Sequence, residues 1–163
     1  MKGVYLCSRK HRIPGFDIDY NDVVDYPGIN LLCSCDDVDL SKYDYIIATP
    51  PCNYYSRANW RRELSSVALF TKDLLPNTLK RCVESGKPFI VENVLNSTLL
   101  PNDFNNYRFE FGNHTFWSNV FFLVPDKSYA IRQNKQYVSR ACRDNNYNVH
   151  LIINIFLEYI SML

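Results

Sequence analysis

Residues 44–56 read DYIIATPPCNYYS. The apolar run from Tyr43 to Ala48 has the length and composition of a buried strand, and it stops at Pro50-Pro51. Proline fixes φ, lacks an N–H and restricts the residue before it, so the two prolines stiffen the backbone where it leaves the strand. Cys52 is thereby set on a rigid, half-exposed turn, a good position for a nucleophile. A free thiol ionises near pH ~8.5, so attack at neutral pH needs a cationic or dipolar neighbour. Arg57, Arg61 and Arg62, or the N-terminus of the following helix, are placed to supply one.

Upstream, Lys2 to Cys7 reads as a strand, HRIPG as a turn, and Phe16-Asp17-Ile18-Asp19 as a short strand ending in acids. Ile29 to Cys33 is another apolar run, closed by Asp36 and Asp37. Downstream, Leu64, Val67, Ala68, Leu74, Leu75, Leu79, Cys82 and Val83 recur at helical spacing, with Gly86 placed as the C-terminal cap. Pro76 inside that pattern predicts a kink, or two helices, near Leu75. Phe89-Ile90-Val91 is then a strand running into Glu92-Asn93. A strand, helix, strand unit of this length means a crossover and a parallel sheet, whose working residues lie in loops at the carboxyl ends of strands. Cys52 and Glu92 both occupy such positions. A carboxyl group there can donate a proton or hydrogen-bond to a ring nitrogen. Thr115 to Val124 predicts one or two further strands and Leu151 to Ile160 a closing helix; the polar stretch between them has no assignment.

The 163 residues predict one α/β domain, with 47% hydrophobic, 21% charged and 15% aromatic residues arguing against disorder. A net charge of +1 provides no overall field for nucleic acid, so any such binding must use a local patch. The interleaved Arg57, Trp60, Arg61 and Arg62 form such a patch, suited to phosphate contact and base stacking. MKGVYLCSRKHR carries no secretory apolar stretch and no run approaches a membrane span, which predicts a soluble protein in a reducing cytoplasm with its six cysteines free. Cys33-x-Cys35 with Cys7 lacks zinc-ligand spacing, so no metal site is expected.

Pro50-Pro51-Cys52 with Ser56, followed some forty residues on by Glu92-Asn93-Val94, resembles the nucleophile and Glu-Asn-Val motifs of the DNA cytosine-5 methyltransferases. Each motif follows an apolar strand, and an amphipathic helix separates them. Gly15-Phe16-Asp17-Ile18 resembles the strand whose acid binds the donor's ribose, Asp36-Asp37 the acid near the adenine, and Phe111-Gly112 through Asn119 the segment after Glu-Asn-Val. The resemblance spans about residues 15 to 125. It implies a Rossmann-like S-adenosylmethionine-dependent fold and double-stranded DNA as partner, in a phage, prophage or restriction–modification setting in a bacterial or virus-infected cell. It further implies that Cys52 adds to C6 of a flipped cytosine while Glu92 bonds N3 and the amine. Asn93 and Ser56 would orient the loops, and Asp17, Asp36, Asp37 and Pro50 would meet S-adenosylmethionine.

The chain departs from that family in three places. No glycine-rich loop follows the first strand, so the first strand and helix are expected to be reduced. The family's arginine-bearing segment appears as Asn113-His114-Thr115-Phe116, and there is no room for a separate target-recognition domain. These departures leave open an incomplete enzyme completed by a second subunit, or an inactive methyltransferase-fold protein that binds DNA, a nucleotide or a host factor.

Overall fold

A computed structural model of the chain describes residues 1–56, 58–94, 99–125 and 141–163, with backbone alone from 141 to 147. Seven strands form one mixed sheet: β1 Lys2–Leu6, β2 Asp17–Asp22, β3 Leu31–Leu32, β4 Tyr45–Ala48, β5 Phe89–Val94, β6 Arg108–Phe111 and β7 His114–Ser118. Their order is β3-β2-β1-β4-β5-β7-β6. The first five are mutually parallel, β7 runs antiparallel to β5, and β6 pairs antiparallel with β7.

A sheet of this kind must be covered on both faces. On one face, α1 (Ser66–Thr71) and α2 (Leu74–Ser85) follow β4; Ala68, Leu75, Leu79 and Cys82 pack on Val4, Ile46, Phe89 and Val91. The two helices part at Lys72 and Asp73. Pro76 therefore falls in the first turn of α2, where its missing N–H costs no helical bond. Gly86 ends α2 at φ 66°, in the left-handed region.

The other face is covered by α3 (Ala141–Ser161), whose Val149, Ile152, Ile153, Phe156, Leu157 and Ile160 recur at helical spacing and are all buried. They meet Tyr5, Ile18, Ile47, Ile90 and Phe116. Contrary to the expected shortening, β1 is a full strand at the centre of the sheet. What is missing is its helix: residues 7–16 return to β2 without one. Buried Ile13 lies over this face, its N–H held by the Tyr20 hydroxyl at 2.9 Å, and α3 supplies the remaining cover.

The chain builds outward from β1 to β3 and then returns to β4 on the other side. Loops after β1 and β4 thus leave the sheet in diverging directions, opening a crevice at their carboxyl ends. Among the described residues no helix is long and apolar enough to cross a membrane.

Candidate functional site

Cys52 follows the carboxyl end of β4, next to β1, where the strand order reverses. Thr49 stitches the two strand ends together, its N–H donating to the Leu6 carbonyl (3.1 Å) and its hydroxyl to that of Cys7 (3.0 Å). At the next residue the buried Pro50 carbonyl accepts 3.0 Å from the Asn93 Nδ2 amide, while Asn93 Oδ1 takes the Val94 N–H at 3.0 Å. Asn93 is 1% exposed. The Asn of one motif thus clamps the proline turn of the other. Pro50, expected from sequence to meet a donor, is buried with its carbonyl engaged by Asn93.

Cys52 then starts a turn closed by the Ser56 N–H on its carbonyl at 2.8 Å. Ser56 Oγ receives the Ala58 N–H at 3.3 Å, so Ser56 also shapes the loop. Tyr54 and Tyr55 anchor this segment in the core, their hydroxyls donating to Glu63 Oε1 (2.9 Å) and the Lys72 carbonyl (2.7 Å). Arg62 braces the same loop through the carbonyls of Ser56 (3.0 Å) and Asn59 (3.1 Å), and so is occupied there instead of serving the thiol. The Arg61 guanidinium lies 4.3 Å from the centre of the Trp60 ring, and Trp60 is 76% exposed. That pair forms an open aromatic and cationic surface. Arg57 lies outside the described residues.

Burial pushes the Cys52 thiol above its ordinary range and the Glu92 carboxylate pushes it the same way, while Arg9 and a backbone hydrogen bond oppose them. Two consequences follow. Cys52 and Glu92 lie within each other's field, and among the described residues the cation that favours the thiolate is Arg9, from the loop after β1. Helix α1 begins only at Ser66, too far along the chain to lend its N-terminus.

Along β5 side chains alternate, with Val91 and Asn93 toward α2 and Ile90 and Glu92 toward α3. Glu92 pairs with Phe116 of β7, which brings His114 onto the same face. His114 Nδ1 meets Glu92 Oε1 at 2.5 Å, with both side chains nearly buried. His114 was not identified from sequence as a site residue. The available signal was a histidine opening a strand that carries Phe116 and Trp117, but its partner depends on the antiparallel register of β7.

At the donor side, the first correction concerns Asp17. It opens β2 opposite Lys2, at the amino end of the sheet, because β2 runs on to Asp22. The acid at the carboxyl end is Asp22. Asp36 and Asp37, in a 3-10 turn just after β3, are exposed beyond the carboxyl end of that strand. The loop after β1 departs from a glycine cradle in a specific way. Cys7 and Arg9 take φ of 55° and 50°, a region costly for side chains other than glycine. The N–H groups of Cys7, Ser8 and Arg9 are all used internally, on Asn21 Oδ1 (3.4 Å), the Asn21 carbonyl (2.9 Å) and Asp22 Oδ2 (3.0 Å). Asp22 Oδ1 also accepts the Val24 N–H, at 3.0 Å. A donor's carboxylate would need free N–H groups, and these three are taken. The loop residues therefore do not fit S-adenosylmethionine as a backbone cradle.

A cavity of about 300 Å³ lies at the opposite, amino end, lined by Gly15, Phe16, Asp17, Tyr45, Leu157 and Ile160, away from Cys52. Cys7, Cys33, Cys35, Cys52 and Cys82 are free thiols. Comparisons with protein families, with curated proteins and with solved structures returned no match.

Proposed function

We propose that the chain is a DNA cytosine-5 methyltransferase-like protein that holds a flipped cytosine between Cys52 and Glu92. The observation that carries this reading is the Asn93 to Pro50 clamp, which ties the proline-cysteine turn to the Glu-Asn-Val strand, with the Cys52 thiol within the field of the Glu92 carboxylate. The β3-β2-β1-β4-β5 order supports a Rossmann-like methyltransferase fold, since ligands of such sheets bind where the strand order reverses. Trp60 and Arg61 are the surface for the DNA around the extruded base, and Asp36, Asp37 and Asp22 border the side a donor would occupy.

In this reading the base must leave the duplex, because C6 is shielded within the stack. The Cys52 thiolate bonds to C6, and the C5–C6 π electrons shift through C4 toward N3, where Glu92 meets the developing charge. Carbon 5 then has carbanion character. The β1 loop gives a donor no free backbone groups, so the reading assigns this chain the base-binding half and leaves the donor half to a complementing subunit. The five free thiols among the described residues suit a reducing cytoplasm, bacterial or that of a virus-infected cell. The same self-bonded loop favours a second reading, an inactive fold that binds DNA without chemistry.

A donor-independent assay separates the two. Once Cys52 has added, C5 can take a proton from water, and elimination returns the cytosine with either C5 hydrogen lost. Genomic DNA grown with cytosine tritiated at C5 should release tritium with the wild-type protein and none with Cys52→Ala. DNA binding that survives Cys52→Ala, with no tritium release by the wild type, would replace this reading with the inactive one.

A further inference from the structure

The contact between His114 and Glu92 joins two titratable groups on the α3 face of the sheet, and among the described residues few other charged or titratable groups face them. Tyr5 from β1 and Cys52 from the β4 loop both feel the Glu92 charge. His11 and His150 stand beyond Tyr5, with ring centroids 4.7 Å apart and His11 Nδ1 3.2 Å from the Tyr5 hydroxyl. On neighbouring β6, Phe109 and Phe111 take the α3 face, so the Arg108–Glu110 pair points to the other side. His114 itself is 7% exposed, and its Nε2 is buried with no partner among the described residues. With one ring nitrogen committed to Glu92, a doubly protonated ring leaves an N–H unsatisfied until a ligand brings an acceptor.

We propose that His114 and Glu92 act as one proton-holding pair, the histidine reloading the carboxyl with the proton that it passes to the ring nitrogen of a bound pyrimidine. This rests on the reading of the crevice as a cytosine site. In the addition step the Cys52 sulfur bonds to C6, the C5=C6 double bond is lost, C4=C5 replaces C4=N3, and N3 takes the proton from Glu92. Glu92 is left as a carboxylate beside His114, whose ring returns the proton when one arrives from solvent. Elimination runs the same path backward. Glu92 is the catalytic residue in this scheme, and His114 acts through it.

The discriminating variant is His114→Asn, whose amide can occupy the Nδ1 position and hold Glu92 without carrying a proton to it. His114→Ala removes both roles. Tritium release from C5-labelled DNA is measured from pH 5.5 to 9 for wild type, H114N and H114A, with the ring N–H proton followed by NMR in wild type and Glu92→Gln. The expected result is a loss of about 100-fold in both histidine variants, the scale of one general acid, with a pH dependence that H114N does not restore. A far-downfield Nδ1 proton, lost in E92Q, accompanies it. H114N with the wild-type rate and profile would overturn the proton role and leave positioning alone. A wild-type protein that releases no tritium would remove the proposed function and this role together, and the two failures are therefore distinguishable. Should H114A not fold, H114N and E92Q, which conserve shape, carry the test.

Discussion

Replacing Asn93 by Ala removes the clamp between the two motifs. The side chain is 1% exposed and makes two 3.0 Å bonds, to the Pro50 carbonyl and from the Val94 N–H. Pro50 is buried, so its carbonyl loses a partner that water cannot readily replace. An orphaned buried acceptor costs about 1–3 kcal/mol, and the small void left behind adds roughly 1 kcal/mol. For a domain of this size each kcal/mol shifts Tm by roughly 2–4 °C, so a loss of about 2–4 kcal/mol lowers Tm by roughly 4–16 °C. Asn93→Asp sharpens the test: its volume is conserved but it cannot donate, and a carboxylate would face the carbonyl lone pairs. It should be no more stable than N93A. Thermal denaturation followed by circular dichroism gives the first readout, and the rate of Cys52 alkylation by iodoacetamide in the folded protein gives the second, rising as the turn loosens. An N93A protein with Tm within about 1 °C of wild type and unchanged alkylation would refute the clamp.

Three further outcomes follow from the same geometry. The pH at which Cys52 becomes alkylatable should fall in Glu92→Gln, which removes a charge opposing the thiolate, and rise in Arg9→Gln, which removes one favouring it. His11 is held down to about 4 from 6.5, by burial first and then by His150, Arg9 and Arg12. The unfolded chain therefore binds this proton at higher pH than the folded one, so the His11 contribution is complete above pH 6.5 and is lost as pH falls toward 4; urea titrations of His11→Asn should show a flatter decline across that window. Trp60→Ala, at an exposed ring, should leave stability within about 0.5 kcal/mol and weaken DNA binding about tenfold in a fluorescence anisotropy titration, the worth of one stacked base.

Much of the sheet was legible because its central strands are apolar runs with hard stops. The double proline after Tyr45–Ala48 and the Glu-Asn pair after Phe89-Ile90-Val91 mark strand ends that the fold brings together. The errors have local causes. The sequence reading ended this strand at Asp19, but the run DIDYND continues as strand three residues further, which moves the carboxyl end of β2 to Asp22. Strand β6, RFEF, is a four-residue edge strand whose single alternation of charge and aromatic residues is too short to stand out from the polar loop around it. Its hairpin with β7 fixes which residues face Glu92, so the His114 partner could not be read before the register was known. Arg9 escaped notice because nothing local in CSRK indicates a left-handed backbone; that conformation is held by Asn21 and Asp22, more than ten residues away.

Fluorine NMR of DNA in which every cytosine is replaced by 5-fluorocytosine tests most directly whether Cys52 reaches C6 of a cytosine, with neither a target sequence nor a methyl donor assumed. Addition at C6 changes the bonding at the fluorinated carbon. The account predicts a second, shifted fluorine resonance on adding the wild-type protein, absent with Cys52→Ala and diminished with Glu92→Gln. A wild-type spectrum that keeps the single resonance of free DNA, under conditions where anisotropy shows the DNA bound, would contradict it.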